Sequence, residues 1–225
     1  MLMNIDPLIL TFKLATVTTV VLLLVGIPLA YWLAYSKSRL KPIIETLVSM
    51  PIVLPPTVIG FYLLVVFSPA NAIGSWLNEY LGLRLIFSFE GLVFASVIYS
   101  LPFMVHPIQA GFSNLPKGLK ETAYVMGKSR ITTLLRVLLP NIKPALLTGL
   151  VLAFAHTIGE FGVVLMIGGN IPEKTRVASI AIYDQVEALN YNVANTYSLI
   201  LFGITFSILL VVYLVNGGYV KRWFR

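Results

Sequence analysis

The chain contains no cysteine, which removes disulfides, thiol catalysis and thiolate-held metals and leaves the redox character of its compartment open. Histidine is nearly as scarce. His106 and His156 are the two present, too far apart in sequence to form a local metal-ligand spacing, so no metal site is expected. Charge is also scarce: Asp, Glu, Lys and Arg make up 11% of the 225 residues, against about 25% in an ordinary soluble domain. Acidic residues are the scarcest charged class, nine against sixteen Lys and Arg.

Apolar residues fill the gap, at 58% of the chain with a mean hydropathy of +0.89. They fall into five runs, at about 12–36, 50–68, 89–112, 144–168 and 194–217. Each is near the ~20 residues a helix needs to cross roughly 30 Å of hydrocarbon. Helix is the expected form, because each segment must satisfy its own backbone in lipid. The pattern predicts an all-α, polytopic integral membrane protein with one transmembrane domain over 1–225 and lipid as its surroundings. The first run carries Lys13 near its start and no small-x-small cleavage site, so it reads as an uncleaved anchor.

The basic residues are distributed unevenly. Twelve of the sixteen lie in three places: Lys37, Arg39 and Lys41; Lys117, Lys120, Lys128, Arg130, Arg136 and Lys143; and Lys221, Arg222 and Arg225. The opposite side holds Arg84, Lys174 and Arg176, with Lys13 at the membrane edge. By the positive-inside rule the N-terminus is expected outside and the C-terminus in the cytoplasm. The net charge of +7 is then a topology signal. A nucleic-acid partner is not expected, since the charge is split among membrane-flanking loops and forms no single solvated face.

The loop at 114–143 is the most informative segment. Pro116 suits the first turn of a short helix over 117–126, Gly127 can take the left-handed backbone that ends it, and a second helix over 130–139 carries Leu134, Leu135, Val137 and Leu138 before Pro140 stops it. Ala123 is small enough to allow close approach of a partner. An ordinary interfacial amphipathic helix would share some of these features. The order Glu121, Ala123, Gly127, Leu139, Pro140, in a loop assigned to the cytoplasm, resembles the coupling loop of ABC importer permeases. Thr122 departs from that pattern, which often has Ala there, but is still small. The resemblance implies that Glu121, Thr122, Ala123, Gly127, Leu139 and Pro140 couple the chain to a separate cytoplasmic ATPase. Gly127-Lys128-Ser129 mimics the end of a phosphate-binding loop, but position 122 is Thr where that motif needs Gly, and no strand precedes it. The chain is therefore expected not to be an enzyme and to bind no cofactor directly, with ATP and Mg on the partner.

Two spans carry unusual residues. The second contains Pro51, Pro55 and Pro56, and the third Pro102 and Pro107 around His106. Such breaks are tolerated where freed carbonyls face protein or a water-filled cavity, so these helices either line a pathway or are kinked for packing. The fourth holds His156, Gly159, Glu160, Phe161 and Gly162. A carboxylate at the bilayer centre costs about 2.5–3.5 kcal/mol on insertion scales, so Glu160 is expected to face the bundle interior or water. His156, four residues earlier, would share its helix face. Glu160 reads as a structural hydrogen-bonding group, a gate at a subunit interface, or a member of a proton relay. Pro55, Pro56, His156, Gly159, Glu160, Phe161 and Gly162 are the pathway or gate candidates.

Gly-Glu-Phe-Gly at 159–162, followed by Ile167-Gly168-Gly169-Asn170-Ile171-Pro172 and Thr175-Arg176, resembles the permease subunit of molybdate ABC importers. Sulfate and tungstate permeases share parts of this pattern, and the resemblance runs from about residue 10 to the end. It implies a homodimer in a bacterial or archaeal cytoplasmic membrane, two ATPase subunits, and an external oxyanion-binding protein. Asn170, Lys174 and Arg176 would then attract the anion or dock its carrier. A stand-alone secondary transporter would favour an inverted repeat, and no internal similarity supports one.

Overall fold

A computed structural model describes residues 4–216 of the chain, with side chains to 214. Among the described residues the fold is helical throughout. In order, the helices are α1 (Asp6–Tyr35), α2 (Lys41–Val53), α3 (Pro56–Phe67), α4 (Ala72–Leu81), α5 (Phe89–Ser113), α6 (Lys117–Val125) and α7 (Arg130–Thr133). A π-helical turn (Leu134–Leu138) leads into α8 (Leu139–Asn141), followed by α9 (Lys143–Gly159), α10 (Gly162–Gly168), α11 (Ala178–Glu187) and α12 (Tyr191–Asn216).

α1, α5 and α12 are each long and apolar enough to cross a membrane unbroken. The first begins about a turn and a half before its expected start, and the third coincides with the expected span. The last starts three residues early; its expected end at 217, and the basic cluster Lys221, Arg222 and Arg225, lie outside the described residues.

The expected second span is not one helix. The chain runs as α2 and α3, which meet at 114°. A residue before proline is pushed out of the helical region, and here two such positions are consecutive: Leu54 (ψ 137°) and Pro55 (ψ 137°) are both extended. The helix restarts with Pro56 in its first turn, where a missing N–H costs nothing. The fourth expected span is likewise divided, into α9 and α10, at Glu160 and Phe161.

α1, α5 and α9 pack along one another. Their shared core is built on Leu22, Leu33, Met104, Ile108, Phe112 and Leu138. Close approach relies on small residues, as is usual where lipid supplies no hydrophobic drive between helices. A Cβ on Gly111 would sit 2.6 Å from Ala145 Cβ. A second core, around Leu14, Leu92, Val163, Val164 and Ile167, joins α10 to α3 and α5. α12 leaves Leu199, Phe202, Phe206 and Val211 exposed, a face suited to lipid.

Candidate functional site

The two helix breaks meet. α3 and α10 lie side by side, with their first residues in contact: a Cβ on Gly162 would be 3.0 Å from Pro56 Cβ and Cγ. Further along, a Cβ on Gly60 would be 2.6 Å from Met166 Cβ and 3.1 Å from Val163 Cα. At this junction lies a cavity of about 440 Å³ lined by Pro56, Thr57, Tyr99, His156, Gly159, Glu160, Phe161 and Gly162. Of the seven pathway candidates, Pro55 alone is not in its wall.

Glu160 is 4% exposed and is the one buried acid among the described residues. Neither carboxyl oxygen has a hydrogen-bond partner, and Ser96 Oγ, also buried, is unpaired as well. The Ser96 hydroxyl approaches the carboxyl without reaching hydrogen-bond geometry. The residue's backbone is fixed, with Ser179 Oγ donating to the Glu160 carbonyl at 2.6 Å. The expected His156–Glu160 pair does not form. Glu160 lies just past the end of α9 with extended backbone (φ −67°, ψ 133°), so the i,i+4 relation of a continuous helix does not apply. His156 is held by α5 instead: Nδ1 is 2.9 Å from Ser100 Oγ, and the ring stacks on Phe103 at 4.0 Å.

A polar row climbs α2 toward the same junction. Lys41, Glu45 and Ser49 are spaced four apart and share a face. Lys41 Nζ lies 3.8 Å from Glu45 Oε1, which also accepts from Gln109 Nε2 at 2.7 Å. Ser49 Oγ lies 3.2 Å from His106 Nε2. Sequence reasoning missed Glu45 and Ser49 because it started the second span at 50, and missed Gln109 because its partner Glu45 lies on another helix. The i,i+4,i+8 recurrence of polar residues was the available signal.

In the loop, α6 ends in a Schellman turn: Lys128 N–H donates to the Ala123 carbonyl (3.0 Å) and Gly127 N–H to that of Tyr124 (2.9 Å), with Gly127 at φ +71°. Ser129 then caps α7 by accepting from Thr132 N–H. Pro140 does not stop the second helix, which continues to Asn141. A proline ring normally collides with the carbonyl four residues earlier, here Arg136, and the widened π turn moves that carbonyl aside. The direction changes at Ile142 (φ −112°), with an 82° bend into α9.

Ala123 is 5% exposed and faces the chain's own bundle, so it does not present itself to a partner. Leu139 is half-buried, while Glu121, Thr122 and Pro140 are exposed. The outward apolar surface is made by residues the sequence reading did not single out: Val125 (88% exposed), Met126 (69%) and Ile131 (71%), amid Lys128 and Arg130.

At the opposite end, Asn170 and Arg176 are both committed to Asp184. Asn170 Nδ2 donates to both Asp184 oxygens at 2.7 Å, Arg176 Nε lies 3.4 Å from Asp184 Oδ2, and Arg176 also donates to Asn170 Oδ1. Lys174 stays exposed. Thr175, fully buried, closes the turn by donating to the Gly168 carbonyl at 2.7 Å.

Residues 26–225 match the family model of the binding-protein-dependent transport system inner membrane component. The chain belongs to this family. It is therefore a multi-pass permease component of the inner membrane. Its sequence is 52% identical to the molybdenum transport system permease protein ModB of Azotobacter vinelandii, over 83% of this chain and 82% of that one. It is 32% identical to a probable sulfate transport system permease protein cysT of Marchantia polymorpha, over 90% of this chain and 70% of the relative. The fold matches a chain of the MetNI methionine ABC transporter solved in inward-facing conformations, with TM-score 0.73 and 15% identity, covering 95% of this permease and 94% of that chain.

The permease loop gives a direct prediction. A Cβ at Gly127 would meet nothing within 4 Å, so Gly127→Val creates no clash. It does place a β-branched residue in the left-handed region, which costs about 1–2 kcal/mol or more. The turn between α6 and α7 should distort, and transport should fall. Wild-type transport would show that the turn is unimportant.

Proposed function

We propose that the chain is the transmembrane subunit of an ATP-driven importer that moves molybdate across the cytoplasmic membrane by alternating access. The carrying observation is the 52% identity to ModB, extending over more than four fifths of both chains. The similarity to cysT supports a second reading, a sulfate permease of the same architecture.

In this reading two copies of the permease form the membrane unit. Two cytoplasmic ATPase subunits, which hold the ATP and Mg, dock on the 114–143 loops through Glu121, Thr122, Val125, Met126, Gly127 and Ile131. An external oxyanion-binding protein docks on 69–88 and 170–193, where exposed Lys174 contributes charge. ATP-driven closure of the ATPases draws the loops together and opens the bundle outward, and hydrolysis resets it. This is a two-state device biased at both ends. The anion passes the junction of the broken helices, lined by Pro56, His156, Gly159, Glu160, Phe161 and Gly162. Pro55 sets the break, and the Asn170–Arg176–Asp184 cluster fixes the outer turn. The N-terminus lies outside and the C-terminus in the cytoplasm.

Two measurements test this. Competition against labelled molybdate uptake by the complete complex should show strong inhibition by tungstate and weak inhibition by sulfate; equal or stronger inhibition by sulfate would favour the second reading. Reporter fusions after residues 42 and 130 should both report cytoplasm. A signal from the outer side at either position would overturn the orientation.

A further inference from the structure

A cation on the loop helix α6 sits against aromatic rings of the membrane bundle. Lys120 Nζ lies 4.2 Å from the ring centre of Tyr35, 5.1 Å from that of Tyr31 and 5.9 Å from that of Tyr124, all within cation–π range. Tyr124 is one turn along α6, whereas Tyr31 and Tyr35 belong to the last turns of α1. No carboxylate lies within ion-pair distance of Lys120 among the described residues, so aromatic rings, not an acid, hold the charge.

The contact continues inward. Tyr31 and Tyr35 pack on each other at 5.1 Å, and Tyr31 meets Phe112 edge-on at 5.6 Å. The Tyr35 hydroxyl donates to the Phe112 carbonyl at 3.1 Å, and Phe112 is fully buried in the core shared by α1, α5 and α9. An unbroken series of contacts thus runs from the loop helix through Lys120 and two tyrosines to the centre of the bundle. Elsewhere on α6, Leu119 packs on the core and Ala123 is buried; apolar contacts of this kind are non-directional. A cation centred between rings resists sliding, because displacement in either direction leaves one ring.

We propose that Lys120 is the positioning residue that makes α6 move as one body with α1 and α5, so that motion imposed on the loop reaches the membrane spans. This rests on the loop being the ATPase-docking element.

The test uses the complete complex of permease, ATPase and binding protein in proteoliposomes, with molybdate as the transported probe and uptake and ATP hydrolysis measured together. Lys120→Met keeps the length of the stem and removes the charge. Tyr35→Leu removes the nearest ring from α1, away from the docking surface, and carries the test alone if the first variant does not assemble. In both, molybdate moved per ATP hydrolysed should fall about fivefold or more, the lower range of measured couplings. Lys120→Arg, which keeps a cation over the rings, and Tyr35→Phe, which keeps the ring without the hydroxyl, should retain the wild-type ratio. An unchanged ratio in Lys120→Met and Tyr35→Leu would overturn the proposal, as would Lys120→Arg falling as far as Lys120→Met. Failure of the docking reading shows separately, as undiminished ATPase recovery when Val125 and Met126 are made charged.

Discussion

Replacing Val125 and Met126 together with glutamate should strip the permease of its ATPase, lowering recovery of that subunit by about a hundredfold or more. The two side chains are 88% and 69% exposed, so neither supports the chain's own core, and the variant should fold and insert normally. Fully burying one such side chain contributes roughly 1.5–3 kcal/mol, and every 1.4 kcal/mol is tenfold in affinity. Losing both contacts, and placing two carboxylates in a contact that excludes water, adds costs of the same sign. Leucine at both positions keeps the apolar surface and should preserve assembly. If the surface instead lay in lipid headgroups, the glutamates would shift the loop away from the membrane and leave ATPase recovery intact.

Glu160→Gln should make the permease leaky, raising ATP hydrolysis without the loaded carrier, or anion passage without ATP, by about tenfold or more. A structural hydrogen-bonding role predicts the reverse, that Gln preserves function and Ala abolishes it. The geometry does not support that role, since neither carboxyl oxygen has a partner and His156 is held by Ser100. A buried acid whose carboxyl oxygens have no partner at hydrogen-bond geometry gains little to offset the cost of its burial, and such groups gather at functional sites. In the wall of the cavity, a carboxyl with no fixed partner is free to change its contacts as the bundle opens, and whenever it is ionised it opposes a dianion by like charge. Glu160→Ala should leak as well. Thermal stability of the complex should hold or rise in both variants. A stability loss confined to Ala, with transport kept in Gln, would restore the structural reading.

The parts of this account readable from sequence are those with a strong local cause. The Gly127 turn follows from a residue that alone takes φ +71° without strain, and the α5 span from a long apolar run. Hydropathy misread the second and fourth spans because it measures the apolarity of a segment and not its path. Α run from 50 to 68 looks the same whether straight or folded at 114°. Two successive residues before prolines at 54 and 55 held the clue. Pro140 misled for the opposite reason, since a proline ends a helix only when the preceding turn cannot widen. The contact between Gly162 and Pro56, the polar row on α2 and the outward turn of Val125 and Met126 depend on tertiary packing, which single-chain periodicity does not encode. Asn170 and Arg176 read as free polar groups because Asp184, which holds both, lies a helix away in sequence.

The central claim is that this permease moves an oxyanion only when driven by a separate ATPase and supplied by a separate carrier. Labelled molybdate uptake into proteoliposomes tests it most directly, with permease, ATPase, carrier and ATP supplied together and each omitted in turn. The account predicts accumulation above the external concentration in the complete mixture and none when any part is missing. Accumulation by the permease alone, driven by an ion gradient, would contradict it.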